Sequence, residues 1–217
     1  DIPMYAVFLL VGLLVIAGVV VVTEAERPIP VTYAKQVHGN RVTGGTSTYI
    51  PLRLTQAGVI PIIFALSILL FPQIIANFFA TSSHTTLKAI SDAMTAFLQN
   101  QLLYGIVYFV LVFLFTYFYT AVTFDPESMS HNLQKNGAFI PGVRPGQPTA
   151  EYVSKILTRV TFIGALFLGA IAVLPLIMKG VTGITQIALG GTSLLIVINV
   201  AVDIVKKVDA QIAMREY

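Results

Sequence analysis

The chain has 217 residues, 56% hydrophobic and 11% charged, with 13 Lys and Arg against 10 Asp and Glu and a mean hydropathy of +0.82. A soluble domain carries about 25% charged residues and disorder needs low hydrophobicity with high charge, so an ordinary cytosolic domain and a disordered chain are both excluded. With no cysteine at all, a disulfide framework, a thiolate metal site and a cysteine nucleophile are excluded as well, and the composition is that of a polytopic membrane protein or part of one.

Taken in order, the chain starts at Asp1 and enters an apolar run, Pro3–Val22. The run has neither the basic leader nor the small-residue cleavage site of a secretory signal, so it reads as a first membrane span. The start without Met and the end at Tyr217 read as a segment of a longer protein, or a processed chain. Residues 23–55 form a loop with two β-leaning stretches, Ile29–Tyr33 and Ser47–Leu52, around a Gly- and Asn-rich bend at His38-Gly39-Asn40 and Gly44-Gly45. That pattern predicts a hairpin.

Uncharged apolar runs long enough to cross a bilayer as helices follow at Ala57–Phe79, Leu102–Phe124, Val160–Met178 and Val181–Val202. Gly183 and Gly190-Gly191 interrupt the last of them. Between the third and fourth spans, residues 125–159 form a second long loop. There Asp125-Pro126-Glu127 predicts a capped helix start, with Pro at the first helical position and an acid in the first turn. Gly137 ends that helix. Two Pro-Gly turns, Pro141-Gly142 and Pro145-Gly146, then bracket Arg144, and Thr149 is expected to cap a helix with Glu151 in its first turn, leading into the fourth span.

Lys and Arg alternate along the segments that follow the five spans: four, one, four, one and three. The positive-inside bias then places the first long loop, the second long loop and the tail in the cytoplasm, with the amino end outside and the carboxyl end inside.

The spans hold no Asp, Glu, Lys, Arg or His, which argues against a proton relay within them. His38, His84 and His131 lie in three different loops, and no HExxH, GxSxG or P-loop pattern occurs, so no metal, cofactor or enzymatic activity is expected. What the spans do carry is packing and bending chemistry. Pro61 and Pro72 free backbone groups in the second span. Ile63, Ser67 and Phe71 fall at i, i+4 and i+8, one stripe on one helix face. That stripe reads either as a helix–helix contact with a Ser hydrogen bond or as a surface that opens. In the fifth span Gly190, Gly191, Thr192 and Ser193 admit close backbone approach, and Ile196 and Asn199 follow. The aromatics of the third span surround it and read as lipid and packing contacts. Among loop residues Arg144 stands out, because a guanidinium held between two turns can fork onto a carboxylate or phosphate.

Three runs carry a resemblance. They are Leu54–Ala65 (LTQAGVIPIIFA), Gly137–Gly146 (GAFIPGVRPG) and Gly190–Val197 (GGTSLLIV). Together, in this order and with spans between them, they resemble the SecY family, the channel subunit of the bacterial protein-conducting translocon. The resemblance covers residues 1–217 as one unit but only the carboxyl-terminal half of the family pattern. It implies an all-α polytopic membrane protein with five transmembrane helices and two long cytoplasmic loops, half of a ten-helix channel in the bacterial plasma membrane.

It also implies roles. Ile63 and Ile196 match this half's share of an apolar pore ring, and such a constriction can seal around a moving chain without binding it. Ser67, Phe71 and Ile75 match positions of a lateral gate. Arg144 matches a loop arginine needed for transport driven by the SecA ATPase. The loops, with Arg27, Lys35, Arg41 and Lys135, match surfaces that dock SecA or the ribosome. The implied partners are an amino-terminal SecY half, SecE, SecG, SecA, the ribosome, preprotein signal sequences and the lipid membrane. Two other readings stay open on the residues alone: half of a small-solute transporter, from the Gly and Pro breaks, and a scaffold subunit.

Overall fold

The computed structural model describes residues 9, 10, 12–14, 16–18, 20–22, 25–34, 36–38, 41–43, 45, 47–54, 58, 60–81, 84–183, 193, 196–198, 200–202, 204, 205, 208 and 211. Among these are five strands and five helices with defined bounds: β1 (Glu26–Tyr33), β2 (Gln36–His38), β3 (Arg41–Thr43), β4 (Ser47–Arg53), α1 (Ile60–Ala80), α2 (Thr85–Gln99), α3 (Gln101–Thr123), α4 (Pro126–Lys135), β5 (Ala138–Phe139) and α5 (Gln147–Thr182). Gly12–Val22 is a shorter apolar helix, and the described residues from 193 onward are helical.

The predicted hairpin forms. β1 and β4 pair antiparallel from Glu26 opposite Arg53 to Thr32 opposite Ser47. Inside it β2 and β3 pair as a second, shorter hairpin, with His38 opposite Arg41. The sequence did not show β5, which pairs antiparallel with β1 at Thr32–Phe139 and Tyr33–Ala138 and makes β1 the centre of a three-stranded sheet. The Ala34 amide extends the ladder by donating to the Gly137 carbonyl at 2.8 Å. Two residues of pairing thus join segments about a hundred positions apart, so the two long loops are one folded unit. Its core takes Ile29 and Val31 from β1, Leu52 from β4, Ala138 and Ile140 from the β5 segment, and Val153, Ile156 and Val160 from α5. The alternation of buried Ile29 and Val31 with exposed neighbours is that of a sheet with one covered face.

The second core lies among the apolar helices. α1 contributes Ile62, Ala65 and Leu69, α3 contributes Tyr108 and Val112, and α5 contributes Leu168 and Ala172. Ring pairs tie α3 to both neighbours: Phe64 stacks on Phe115 at 5.8 Å, and Phe113 meets Phe162 edge-on at 5.8 Å. Among the described residues, three helices are long and apolar enough to cross a membrane, those starting at Ile60, Gln101 and Gln147.

The two helices expected within the second long loop form, as α4 and the first turns of α5. Three expectations need correction. First, Thr149 is not a helix cap. Gly146, at φ 97°, holds that position, Thr149 lies inside α5, and Glu151 falls beyond the first turn. Glycine accepts the positive φ that Thr would resist. Second, the fourth and fifth spans do not divide at 181: Lys179, Val181 and Thr182 belong to the last turn of α5, which Gly183 ends in the left-handed conformation at φ 73°. Third, the segment between the second and third spans is not a plain loop, because α2 fills most of it.

Candidate functional site

Two arrangements stand out, a helix face on α1 and a turn that carries Arg144. α1 forms because 21 uncharged residues supply no breaker in its first half. Pro61 stands at its second position, where the missing amide is no loss. At about 32 Å the helix matches the hydrocarbon core of a bilayer. Pro72 is interior and leaves the Ile68 carbonyl without its intrahelical donor.

One side of α1, Pro61, Ile62, Ala65, Leu69 and Ala76, is buried. The other side carries Ile63 at 43% exposure, Phe71 at 65%, and Phe64, Ile68, Leu70, Ile74 and Phe78. Ile63, Ser67 and Phe71 therefore share an exposed stripe, and Ile75 is half-buried at its edge. The Ser67 hydroxyl donates to the Ile63 carbonyl of its own helix at 2.8 Å. It is not bonded to a neighbouring helix, so the stripe presents hydrocarbon along its length. Ile196, the other expected ring member, is helical and half-buried beyond α5. Asn199 and Gly190–Thr192 lie outside the described residues.

The Arg144 turn is built by its neighbours. Asp125 caps α4: one carboxylate oxygen accepts from the Glu127 amide at 3.0 Å and the other from the Ser128 hydroxyl at 2.5 Å. These hydrogen bonds, the Ser128 hydroxyl first, hold the Asp125 carboxyl below the usual carboxylate range. Gly137, at φ 65°, ends the helix and turns the chain into β5. Ile140 anchors the next segment in the sheet core. The two Pro-Gly turns follow, with Gly142 at φ 85° and Gly146 at φ 97°. Between them the Val143 amide donates to the Ile140 carbonyl at 3.1 Å, and the Arg144 side chain is exposed.

The other expected docking residues distribute as follows. Arg27 is exposed on β1. Lys135 is the last residue of α4, where a cation suits the helix dipole. Arg41 stands on β3 opposite His38. Lys35 lies outside the described residues. Arg27, Lys135 and Arg144 thus come from both long loops into the one sheet-centred unit. Arg53, the remaining cation of the first long loop, pairs across the sheet with Glu26 at 3.1 Å, an exposed bridge of about 0–1 kcal/mol. No cluster of three metal-ligating side chains occurs among the described residues.

Comparison with known proteins follows the same lines. A sequence profile of the SecY family matches residues 1–205. The chain is 45% identical over 207 residues to the protein translocase subunit SecY of Thermotoga maritima, which takes in 95% of this chain and 46% of that protein. It is 45% identical over 215 residues to the same subunit of Streptomyces coelicolor, with 98% and 48% covered. The chain therefore spans about half the length of the curated relatives it matches. A solved structure described as "The structure of a protein conducting channel" shares the fold with a TM-score of 0.52 at 18% identity, over 89% of this chain and 46% of that one.

Proposed function

The chain belongs to the SecY family, and from that premise we propose that it supplies the second half of a protein-conducting channel for Sec-dependent secretion and membrane-protein insertion. It works with an amino-terminal SecY half, SecE and SecG. Preprotein signal sequences and the lipid bilayer meet it at the lateral gate, and SecA or the ribosome supplies the push. The amino end lies outside and the carboxyl end in the cytoplasm, which puts the sheet-centred unit where a cytoplasmic driver can dock.

The observation that carries the reading is the exposed stripe of α1. Ile63, Ser67 and Phe71 face away from the helix core, and the one hydroxyl among them is satisfied within its own helix. A face of this kind seals against another apolar face and parts from it without breaking hydrogen bonds, which is what a gate needs. Ile63 is the ring member on this face, with Ile196 its counterpart from the last span. A small-solute carrier is not supported: the relatives are protein translocase subunits, and Ser67 offers a solute no free donor.

The test is Ile63→Asn in the assembled translocase. An amide in the ring draws water into the constriction and weakens the seal, so export of a preprotein with a defective signal sequence should rise by at least tenfold. Unchanged signal-sequence discrimination, with the complex intact, would instead favour a scaffold role for this chain.

A further inference from the structure

Two hydroxyls behind the Arg144 turn are nearly inaccessible. Thr149 is 2% exposed and Ser130 is 4% exposed. Neither bonds to another side chain. The Thr149 hydroxyl donates to the Arg144 carbonyl at 2.8 Å, and the Ser130 hydroxyl donates to the Gly146 carbonyl at 2.6 Å. The first bond reaches back from α5 and the second reaches across from α4. Both end on main-chain carbonyls of the same short turn. The Gly146 carbonyl also accepts from the Thr149 amide at 3.0 Å, so the turn is fixed on one side by the start of α5 and on the other by α4.

We infer that Ser130 and Thr149 are positioning residues for Arg144: they hold the main chain of the turn so that the guanidinium projects in one direction toward a carboxylate-bearing surface of the cytoplasmic driver. A long side chain on an untied turn would spread its charge over many positions and lose orientation entropy on docking. Here the turn is tied before the partner arrives. Each anchor is itself rooted, Ser130 in a helix capped by Asp125 and Thr149 in a helix whose next turns enter the sheet core through Val153 and Ile156. Glycine at 142 and 146 provides the two positive φ angles, and the hydroxyls select one arrangement among those that glycine allows.

The inference rests on the docking role proposed for Arg144, and its test separates the two. Four variants are compared in the full translocase in proteoliposomes driven by SecA: Arg144→Glu, Thr149→Val, Thr149→Ser and Ser130→Ala. Val keeps the shape of Thr and removes the hydroxyl, while Ser keeps the hydroxyl. Arg144→Glu should block transport. Thr149→Val should raise the SecA concentration needed for half-maximal transport at least fivefold, Ser130→Ala should raise it by a smaller factor, and Thr149→Ser should restore it to within twofold of the starting protein. Amide hydrogen exchange over residues 142–146 should quicken at least tenfold in Thr149→Val, with exchange in β1 and β4 unchanged. Normal transport by Arg144→Glu would remove the docking role and the inference with it. Blocked transport by Arg144→Glu beside normal SecA dependence in Thr149→Val would overturn the positioning inference alone. Equal loss in Thr149→Val and Thr149→Ser would also overturn it, since the hydroxyl would then not be what matters.

Discussion

Glycine does different work at different positions of the α3–α5 contact. At Gly169 a Cβ would stand 2.7 Å from Cε2 of Phe109, closer than real side chains come. At Gly180 it would meet the Gln101 amide at 2.8 Å, and that amide donates to the Leu176 carbonyl. At Gly105 the nearest atom is a Val173 methyl at 3.6 Å, an ordinary contact. The Phe109 ring therefore lies on bare backbone at Gly169, the small-residue packing that brings membrane helices together where no hydrophobic drive exists between them. Gly169→Val should destabilise the folded chain by about 1–3 kcal/mol through overpacking, read as a lower midpoint in thermal unfolding in detergent. Phe109→Ala should recover part of that loss, because it removes the clashing ring. Gly105→Ala should be near neutral. A Gly169→Val protein as stable as the parent would mean that Phe109 does not rest where the structure puts it. The sequence pointed instead to Gly190 and Gly191, which outnumber Gly169 locally but lie outside the described residues. A single glycine in an apolar run gives no sign of which ring will cover it.

Among elements, α2 shows best what a linear reading can and cannot find. The hairpin of β1 and β4 was legible because its residues alternate and its turn is rich in Gly and Asn. The start and end of α4 were legible because Asp125, Pro126 and Gly137 each have a local job. α2 was missed because a search for long uncharged runs passes over a helix holding Lys88, Asp92 and several Thr. Its apolar residues Leu87, Met94 and Phe97 still recur at helical spacing and are half-buried, which suits a helix lying along an interface. The bond that docks it is between elements: the Ser91 hydroxyl, 3% exposed, donates to the Ala76 carbonyl of α1 at 2.8 Å. α2 thus braces the far end of the helix that carries Ile63, Ser67 and Phe71. Removing the hydroxyl in Ser91→Ala should cost about 1 kcal/mol. Hydrogen exchange should rise through residues 85–99 and the last turns of α1, with α3 and α5 unaffected. If exchange in α2 stays at its parent level, the bond does not hold the helix. β5 escaped sequence reading for another reason: two residues have no period, and only the distant edge of β1 makes them a strand.

At the scale of the whole molecule, α5 joins the two cores. Its 36 residues extend about 54 Å, against about 30 Å for the hydrocarbon core of a bilayer, so a third or more of it stands clear of the spans. Val153, Ile156 and Val160 lie in the sheet core, and Leu168 and Ala172 lie in the core shared with α1 and α3. One rod, begun at the Arg144 turn, ends beside the helix with the exposed stripe. Sequence reading divided this rod into a loop helix, a span and the start of another span, because charge marks the water boundary and the helix ignores it. On the docking role proposed for Arg144, a stiff rod would carry a displacement of the turn to the spans and a jointed one would absorb it. Arg159 is exposed, as is Thr158, whose hydroxyl only returns to the Ser154 carbonyl at 2.9 Å and whose carbonyl accepts a long bond from Tyr117 at 3.4 Å. Replacing both by glycine costs about 1–2 kcal/mol of helix propensity while leaving both cores their buried side chains. With spin labels at Lys135 and Ile74, both exposed, the double variant should keep the mean separation of the parent within a few ångströms and broaden its distribution markedly. SecA-driven transport should fall while assembly with SecE persists. A distribution as narrow as the parent's would show that the sheet contacts, and not the rod, fix the two units relative to each other.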